Sequence, residues 1–229
     1  MQRKIRITAR DGHVCDAWRA DPTGQAKGGV VVLHAVYGLT GHMGDVCARW
    51  AEMGYAAIAP ALFDRQQRGV VHPYSRAGAD AGIASYEALT EAQILADVAA
   101  CRDALAPLRV AISGFCTGGT WAWRAASVLP FDAQVNFYGS HVPAHLELPQ
   151  PAPTLMHYGD CDPIMPMAKV QSIMARHPEV DVRIYAGAGH AFCNPEQASY
   201  DAVAAEGAWA RSAAFLDHHL GGTRDVPGP

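Results

Sequence analysis

The sequence lacks any apolar run long enough to cross a bilayer, which takes about 18 residues. Its first residues, MQRKIRITARDG, alternate charged and apolar side chains and do not contain the apolar centre of a secretory signal peptide. Basic residues are scattered and the net charge is −4, so no nucleic-acid-binding surface is indicated. We therefore expect a cytoplasmic protein that binds neither membranes nor nucleic acids.

The sequence also lacks the common cofactor and disulfide patterns. Its six cysteines show no C-x-x-C spacing, and a chain of 229 residues does not need a disulfide framework. The segment TGGT has no lysine of a phosphate-binding loop, so no organic cofactor is implied. A zinc site formed by Cys161, Asp162, His190 and Cys193 would have suitable atoms but no metal-ligand spacing, and we expect no metal. Four cysteines carry no further signal and are expected to be inert: Cys15, Cys47, Cys101 and Cys193.

What the sequence does contain is a regular alternation of strand-like and helix-like segments. With 50% hydrophobic residues the chain can bury a full core, and no break in composition divides it, so residues 1–229 are expected to form one domain. The alternation predicts an α/β fold with a mostly parallel sheet and helices on both faces. Strands are predicted within 1–12 and at 28–36, 55–60, 108–115, 133–139, 152–159 and 180–187. Helices are predicted at 42–54, 86–105, 117–129, 166–177 and 198–219, with a loop and short helix at 61–83 and a loose tail at 222–229.

The segment GFCTGG, residues 114–119, has the spacing of a nucleophile elbow with cysteine in the place of the usual serine. Glycine is needed at Gly114 and Gly118 because side chains there would collide across so sharp a turn. The turn places Cys116 at the start of a helix, where the dipole favours a thiolate, and makes the Thr117 amide a natural oxyanion donor. A Gly-rich turn around a buried, unreactive thiol is the structural alternative.

Two later strands end in residues that complete a catalytic triad. HYGDCDPIMP supplies Asp160 and Asp162 after one strand, and GAGHAF supplies His190 after the next. Because carboxyl ends of parallel strands meet at one edge of a sheet, these groups are expected near Cys116. The order of nucleophile, acid and histidine is the order of α/β-hydrolases, in which histidine takes the proton of the nucleophile and the acid orients it.

On these segments the chain resembles the dienelactone hydrolase family, a branch of the α/β-hydrolases with a Cys-Asp-His triad. GFCTGG is similar to the family's G-x-C-x-G-G, GDCDPIMP to G-D-x-D-x-x-x-P, and GAGHAF to G-x-x-H-x-F. The resemblance implies an α/β-hydrolase fold with Cys116 as nucleophile, Asp162 as acid and His190 as base. Asp160 is then expected to be a turn residue. HAVYGLT, residues 34–40, is similar to the family's oxyanion loop and implies the Val36 amide as a second donor.

Two positions depart from the family pattern. The family's loop glutamate, which interacts with the resting thiol, is replaced by Ala35, and one of two arginines that hold a substrate carboxylate is replaced by Asn194. The other arginine corresponds to Arg65, for which an ion pair with Asp64 or Glu87 is the alternative. Loss of one charge-assisted contact is expected to weaken carboxylate recognition by roughly 1.5–3 kcal/mol.

These features predict a hydrolase of ester or lactone bonds that forms a thioacyl-enzyme intermediate on a small-molecule substrate. Without a glutamate beside the thiol, a thiolate–imidazolium pair is expected to persist in the resting enzyme and to favour neutral, activated esters over dienelactone. Tyr37, Phe192 and Asn194 are candidate substrate contacts together with Arg65.

Three other functions are compatible with some of these residues. The same triad would be able to attack phosphorus in a neutral phosphotriester, since charge also develops on an oxygen there. A thiol redox protein would use Cys116 with Cys161 or Cys193 as the resolving thiol. A non-catalytic binding module would keep the pocket without needing three polar groups in triad order.

Overall fold

The computed structural model describes residues 2–221, and the predicted tail at 222–229 lies outside the described residues. Eight strands form one sheet in the spatial order β1-β2-β4-β3-β5-β6-β7-β8. Pairing is parallel from β4 through to β8, whereas β1 with β2 and β2 with β4 are antiparallel. The strands are Arg3–Thr8 (β1), Val14–Ala20 (β2), Gly28–Leu33 (β3), Tyr55–Pro60 (β4), Val110–Phe115 (β5), Ala133–Phe137 (β6), Thr154–Gly159 (β7) and Asp181–Tyr185 (β8).

Helices cover both faces of this sheet, as the alternating pattern predicted. They are Gly41–Glu52 (α1), Arg76–Glu87 (α2), Glu91–Asp103 (α3), Thr117–Val128 (α4), Met167–Arg176 (α5) and Ala202–Leu220 (α6), with short 3-10 helices at Leu62–Arg65 and Val142–His145. None of the helices in the described range is both long and apolar enough to cross a membrane.

The central strands are apolar along their whole length because both of their faces are buried. In β3, Val30 and Val32 pack into the core that contains α1 and α6, while Val31 and Leu33 pack into the core that contains α3 and α4. Successive side chains of a strand point to opposite faces, so a continuous apolar run is what a doubly covered strand requires. The sheet therefore has two apolar cores, one on each side.

Two parts of the predicted element pattern were wrong. Residues 14–20 form β2, an edge-side strand that the prediction left out, with its buried side chains interrupted by Asp16 and Arg19. The predicted helix at 86–105 is two helices, α2 and α3, and α2 begins inside the segment predicted as a loop. Thr90 starts α3 with a capping box, in which Thr90 and Gln93 bond to each other's backbone amides.

The parallel strands all end at the same edge of the sheet, and the loops that follow β3, β5, β6 and β7 meet there. Phe115 at the end of β5 pairs with Phe137 at the end of β6, and His157 of β7 pairs with Phe137 in turn. Residues that directly follow these strands are consequently neighbours, although they lie far apart in the chain.

Candidate active site

Cys116 lies at the tip of a sharp turn between β5 and α4. Its backbone has φ 54° and ψ −119°, a conformation that side-chain-bearing residues rarely adopt. Hydrogen bonds hold the turn, because the Cys116 amide donates to the Phe137 carbonyl at 3.0 Å and its carbonyl accepts from the Gly119 amide at 2.9 Å. A strained residue held this firmly at a strand–helix junction is the arrangement of a nucleophile elbow.

The two glycines of the turn are needed for close approach. A Cβ atom at Gly114 would overlap the carbonyl of Gly118, and one at Gly118 would overlap the carbonyls of Leu33 and His34. Both collisions involve backbone, which cannot move aside as a flexible side chain would. The collisions expected from the sequence for side chains at Gly114 and Gly118 are therefore found in the structure.

His190 and Asp162 meet in the loops that follow β7 and β8. The Nδ1 atom of His190 lies 2.7 Å from Oδ2 of Asp162, and the Asp162 side chain is completely buried. The other oxygen, Oδ1, accepts the amides of Ile164 at 2.8 Å and Met165 at 3.0 Å. The carboxylate is thus fixed on one side by the backbone and presents its free oxygen to the imidazole.

Asp160 has a different role, as the family resemblance implied. Its Oδ1 accepts the amide of Gly187 at 2.7 Å, which joins the loop after β7 to the loop after β8. Since this contact fixes the loop that carries His190, Asp160 supports the geometry without touching the imidazole.

The thiol of Cys116 and the imidazole of His190 alter each other's ionisation. Burial opposes a thiolate at Cys116, but the charge of His190 together with hydrogen bonds from His190, Thr117 and Ser140 outweighs burial, so the pKa of Cys116 lies below its ordinary value. Burial also opposes a charged His190, whereas the neighbouring thiolate and the bond to Asp162 raise its pKa to about 10. Each of the two groups therefore shifts the pKa of the other toward its charged form.

The contact between these two groups is looser than an ordinary hydrogen bond. The Nε2 atom of His190 is buried and has no partner of standard hydrogen-bond geometry among the described residues. His190 nevertheless lowers the pKa of Cys116, and Cys116 raises the pKa of His190, so the two side chains are close enough to interact. Catalytic hydrogen bonds of this kind commonly tighten only when substrate is bound.

Two backbone amides face the same space. Thr117 is the first residue of α4. Val36 lies in the loop after β3, and Gly82 of α2 packs against its backbone carbonyl. Within residues 2–221 neither of the two amides donates to another protein group. Both residues line the cavity beside Cys116.

Cys116 opens into a cavity of about 580 Å³. This volume is within the usual range of small-molecule sites, roughly 300–1,000 Å³. No Asp, Glu, Lys or Arg side chain of the described residues lines it. Its wall is largely apolar and aromatic and includes Tyr37, Tyr74, Ala79, Ile83, Tyr138 and Ile164.

Of the four predicted substrate contacts, two line the cavity and two do not. Tyr37 and Asn194 are part of the wall, and Tyr37 packs edge-on against Tyr74 with ring centroids 4.6 Å apart. Phe192 is completely buried and packs against Tyr138 and Tyr185 in the core. The expectation that Phe192 contacts substrate is therefore corrected, because its ring points away from the cavity.

The expectation for Arg65 is corrected as well. Its guanidinium is only 6% exposed and forms a two-bond ion pair with Asp97 of α3, with both distances at 2.8 Å, and a further bond to Asp11 at 2.8 Å. Neither Asp64 nor Glu87, the partners considered from the sequence, is the one used. With its donors engaged by two carboxylates, Arg65 is not placed to bind a substrate anion.

Several residues that line the cavity beside Cys116 were not among the residues predicted from the sequence. Ser140 and His141 follow β6, Thr40 and His42 begin α1, and Ile83 projects from α2. For Ser140 and His141 a signal did exist, because they follow a predicted strand at the sheet edge that carries the triad.

The remaining cysteines do not form a second reactive centre with Cys116. All six are free thiols; Cys161 is exposed and Cys193 is buried, and neither lines the cavity. Burial and Asp97 raise the pKa of Cys101 and of Cys15, the latter to about 12. No group of three or more metal-ligating side chains occurs in the part of the chain that the structure describes.

The sequence model of the dienelactone hydrolase family matches residues 15–220. The chain belongs to the dienelactone hydrolase family. This match spans every element from β2 to α6, including the elbow and both loops that carry Asp162 and His190. The family predicted from three short motifs is therefore confirmed over nearly the whole chain.

Individual proteins and solved structures that are similar to this chain agree with its assignment to the dienelactone hydrolase family. A protein of Synechocystis sp. assigned as a carboxymethylenebutenolidase is 31% identical over 201 residues, covering 79% of this chain and 81% of the relative. The crystal structure of a protein assigned as a dienelactone hydrolase from Klebsiella pneumoniae matches with a TM-score of 0.82 and 27% identity, covering 94% of this chain and 98% of the other.

A second structure extends the fold comparison. A dienelactone hydrolase-like promiscuous phosphotriesterase from metagenomic libraries matches with a TM-score of 0.79 and 23% identity, covering 96% of this chain and 99% of the other. At this identity the match establishes the shared fold. The predicted α/β-hydrolase fold is confirmed by these neighbours.

Proposed function

We propose that this protein is a cysteine-dependent hydrolase that acts on neutral ester or lactone bonds through a thioacyl-enzyme intermediate. Membership of the dienelactone hydrolase family makes it an ester or lactone hydrolase. The observation that carries the cysteine mechanism is the arrangement of Cys116 with His190, which is bonded to Asp162, in a cavity whose described wall has no Asp, Glu, Lys or Arg. Each of Cys116 and His190 shifts the pKa of the other toward its charged form.

The reaction would begin with attack of the Cys116 thiolate on the substrate carbonyl. The resulting oxyanion would accept hydrogen bonds from the Thr117 and Val36 amides. The His190 imidazolium would then give its Nε2 proton to the leaving alcohol oxygen, and the thioester would remain on Cys116. Neutral His190 would next take a proton from water, whose oxygen attacks the thioester, and the thiolate would leave as the acid is formed.

The preference for neutral substrates is supported by what surrounds the nucleophile. Ala35 places no carboxylate on the cavity wall, and Asn194 stands where a second arginine would have held a substrate anion. Arg65, the other arginine of that pair, is engaged by Asp97 and Asp11. A carboxylate that entered this cavity would lose its hydration without gaining a fixed positive partner other than His190.

A second candidate activity is hydrolysis of neutral phosphotriesters at the same triad. It is favoured by the uncharged cavity wall, which admits a triester as readily as a carboxylic ester. The protein of similar fold from metagenomic libraries is itself named a promiscuous phosphotriesterase. We expect this activity to be a side reaction of Cys116.

The test is stopped-flow hydrolysis of p-nitrophenyl acetate and butyrate by the wild type, Cys116→Ala and Cys161→Ala, with intact-protein mass spectrometry after rapid quenching. We expect a burst of p-nitrophenol and an acyl adduct on Cys116 in the wild type and in Cys161→Ala. Cys116→Ala should show neither. Cys161→Ala is the matched control because Cys161 is a free thiol outside the cavity.

Other results would support other functions. A disulfide between Cys116 and Cys161 or Cys193 under mild oxidation, together with no acyl adduct, would support the redox function. Full activity in Cys116→Ala would exclude the cysteine mechanism. Replacing the ester by paraoxon in the same assay measures the phosphotriesterase activity and reports a phosphoryl adduct by mass.

A further inference from the structure

The turn after β6 is attached directly to the nucleophile elbow. The Ser140 amide donates to the Cys116 carbonyl at 3.3 Å, and the His141 amide donates to the Thr120 hydroxyl of α4 at 3.0 Å. From the strand side, the Asn136 side-chain amide donates to the Gly119 carbonyl at 2.7 Å. These three bonds join residues 136–141 to the first turn of α4.

This turn is also strained. Tyr138 has φ 44°, which is rare for an aromatic residue, and its side chain is 2% exposed. The Gly139 amide bonds back to Asn136 at 3.0 Å, and the Tyr158 hydroxyl donates to the Gly139 carbonyl at 3.2 Å. Strain that is held by several independent bonds usually fixes a functional group in position. The group that follows in this turn is the side chain of Ser140.

The Ser140 hydroxyl lies beside His141 in the cavity that Cys116 also lines. Ser140 is 3% exposed and still lines the cavity, and its Oγ is 3.0 Å from Nδ1 of His141. Within residues 2–221, Ser140 Oγ makes no other side-chain or backbone hydrogen bond of standard geometry. If His141 donates through Nδ1, the serine proton has the sulfur of Cys116 as its available acceptor.

We propose that Ser140 is a further catalytic residue whose hydroxyl donates a hydrogen bond to the Cys116 sulfur, and that His141 is a positioning residue that directs this donation. The bonds run in one direction, from His141 Nδ1–H to Ser140 Oγ and from Ser140 O–H to Cys116 Sγ. This inference rests on the proposed function, in which Cys116 is the nucleophile. It assigns the thiolate a second stabilising contact on the side of β6, besides His190.

The ionisation of the site agrees with this chain of bonds. Besides His190 and the Thr117 hydroxyl, 3.9 Å from the sulfur, hydrogen bonding by Ser140 helps to lower the pKa of Cys116. Burial, and then Lys169 and His190, hold the pKa of His141 below its ordinary value, and His145 is the other titratable group that interacts with it. His141 is therefore neutral at physiological pH and can donate through only one of its nitrogens.

The experiment measures the rate of Cys116 alkylation by iodoacetamide as a function of pH, followed by intact-protein mass. We compare the wild type with Ser140→Ala, His141→Ala and His141→Asn, over the pH range in which circular dichroism shows the native fold. Asn carries an amide near the position of Nδ1 and can keep the donor, whereas Ala removes it. His145→Ala is the matched control, since His145 does not line the cavity.

For Ser140→Ala we expect the alkylation midpoint to move up by about one pH unit, which is a rate about tenfold lower on the acid side. His141→Ala should move it in the same direction by a smaller amount, and His141→Asn should restore the wild-type midpoint. His145→Ala should leave it unchanged. A role limited to folding would lower thermal stability without moving the midpoint.

An unchanged midpoint in folded Ser140→Ala would overturn the inference about Ser140. A shifted Ser140→Ala together with an unshifted His141→Ala would overturn the role of His141. Failure of the proposed function would give a different result in the same assay. In that case Cys116 of the wild type would react with iodoacetamide no faster at pH 6 than an ordinary cysteine.

Discussion

The Asp162 carboxylate bonds to His190 Nδ1 through one oxygen, at 2.7 Å, and to two backbone amides through the other. The amide bonds prevent the carboxylate from rotating, so the imidazole is held with its Nε2 atom toward the elbow. This relationship makes the orientation of His190 depend on the backbone of residues 162–165. It also determines what an amide side chain would do at position 162.

Asp162→Asn should leave the fold intact and nearly abolish turnover. The Asn oxygen would keep the amides of Ile164 and Met165, so its NH2 group would face His190 and force the tautomer that carries its proton on Nε2. That tautomer cannot accept a proton from water or from the thiol, and we expect kcat/KM for p-nitrophenyl acetate to fall by about 10³–10⁴-fold.

Asp160→Asn is the control for this substitution, because its Oδ1 contact with the Gly187 amide survives the change. Its kcat/KM should stay within about threefold of the wild type, since a single neutral hydrogen bond to the backbone is kept. Equal losses in the two variants would show that Asp162 is no more than a loop residue.

Ala35→Glu should make Cys116 less reactive. A carboxylate on the cavity wall beside the thiolate would raise the pKa of Cys116 by like-charge repulsion, and would offer His190 a second partner. We expect alkylation by iodoacetamide at pH 6 to slow by about tenfold, the effect of one pKa unit.

Ala35→Gln has the same shape without the charge and should alkylate at nearly the wild-type rate. A comparable loss in both variants would assign the effect to steric crowding. Because the pKa of Cys116 is lowered, wild-type alkylation should extend to lower pH than that of an ordinary cysteine and decline as the pH falls through that lowered value.

Gly118→Ala should damage both the fold and the elbow. Its Cβ would overlap the carbonyls of Leu33 and His34, and accommodating it requires β3 and α4 to separate. We expect a loss of about 1–3 kcal/mol in the free energy of unfolding and a larger relative loss of burst amplitude.

Gly41→Ala is the matched control in the first turn of α1, where the added Cβ meets nothing within 4 Å. It should be neutral or stabilising by up to about 1 kcal/mol, because alanine restricts the unfolded chain. Urea unfolding measures both variants. An undamaged Gly118→Ala protein would contradict the steric account of the elbow.

Arg65→Met should lower stability and leave substrate preference unchanged. Removing the guanidinium leaves the fully buried Asp97 carboxylate without its partner, at a cost of about 3–5 kcal/mol. The ratio of kcat/KM for p-nitrophenyl acetate to that for a half-ester bearing a free carboxylate should not change.

Arg76→Met removes an exposed pair with Asp80 and should cost less than about 1 kcal/mol. Substituting Asp97→Leu together with Arg65→Met should recover much of the lost stability, because no unpaired buried charge remains and Asp11 is solvated. A selective loss of activity toward the carboxylate-bearing ester in Arg65→Met would restore Arg65 as a substrate contact.

Much of the fold and of the candidate site was predictable because both depend on local pattern. Apolar runs with glycine or proline at their ends identified the central strands, and sheet topology then placed residues 116, 162 and 190 at one edge. Strand β2 was missed because Asp16 and Arg19 interrupt its alternation. The break before α3 was missed although Thr90 and Gln93 carry the capping-box signature.

The sequence by itself determined the elbow and the order of Cys116, Asp162 and His190, since the residues of each motif lie within a few positions of one another. The preference for Asp162 over Asp160 came from the resemblance to the family's motif. Only the tertiary structure decided what distant residues do to one another. Arg65 does not have the role expected from the sequence, because its guanidinium pairs with Asp97, which is 32 residues away on another helix. Phe192 is buried in the core, and Ser140 lines the same cavity as Cys116 because β5 and β6 are neighbours in the sheet. Contacts between elements depend on packing and on charge burial, and no local pattern of residues encodes them.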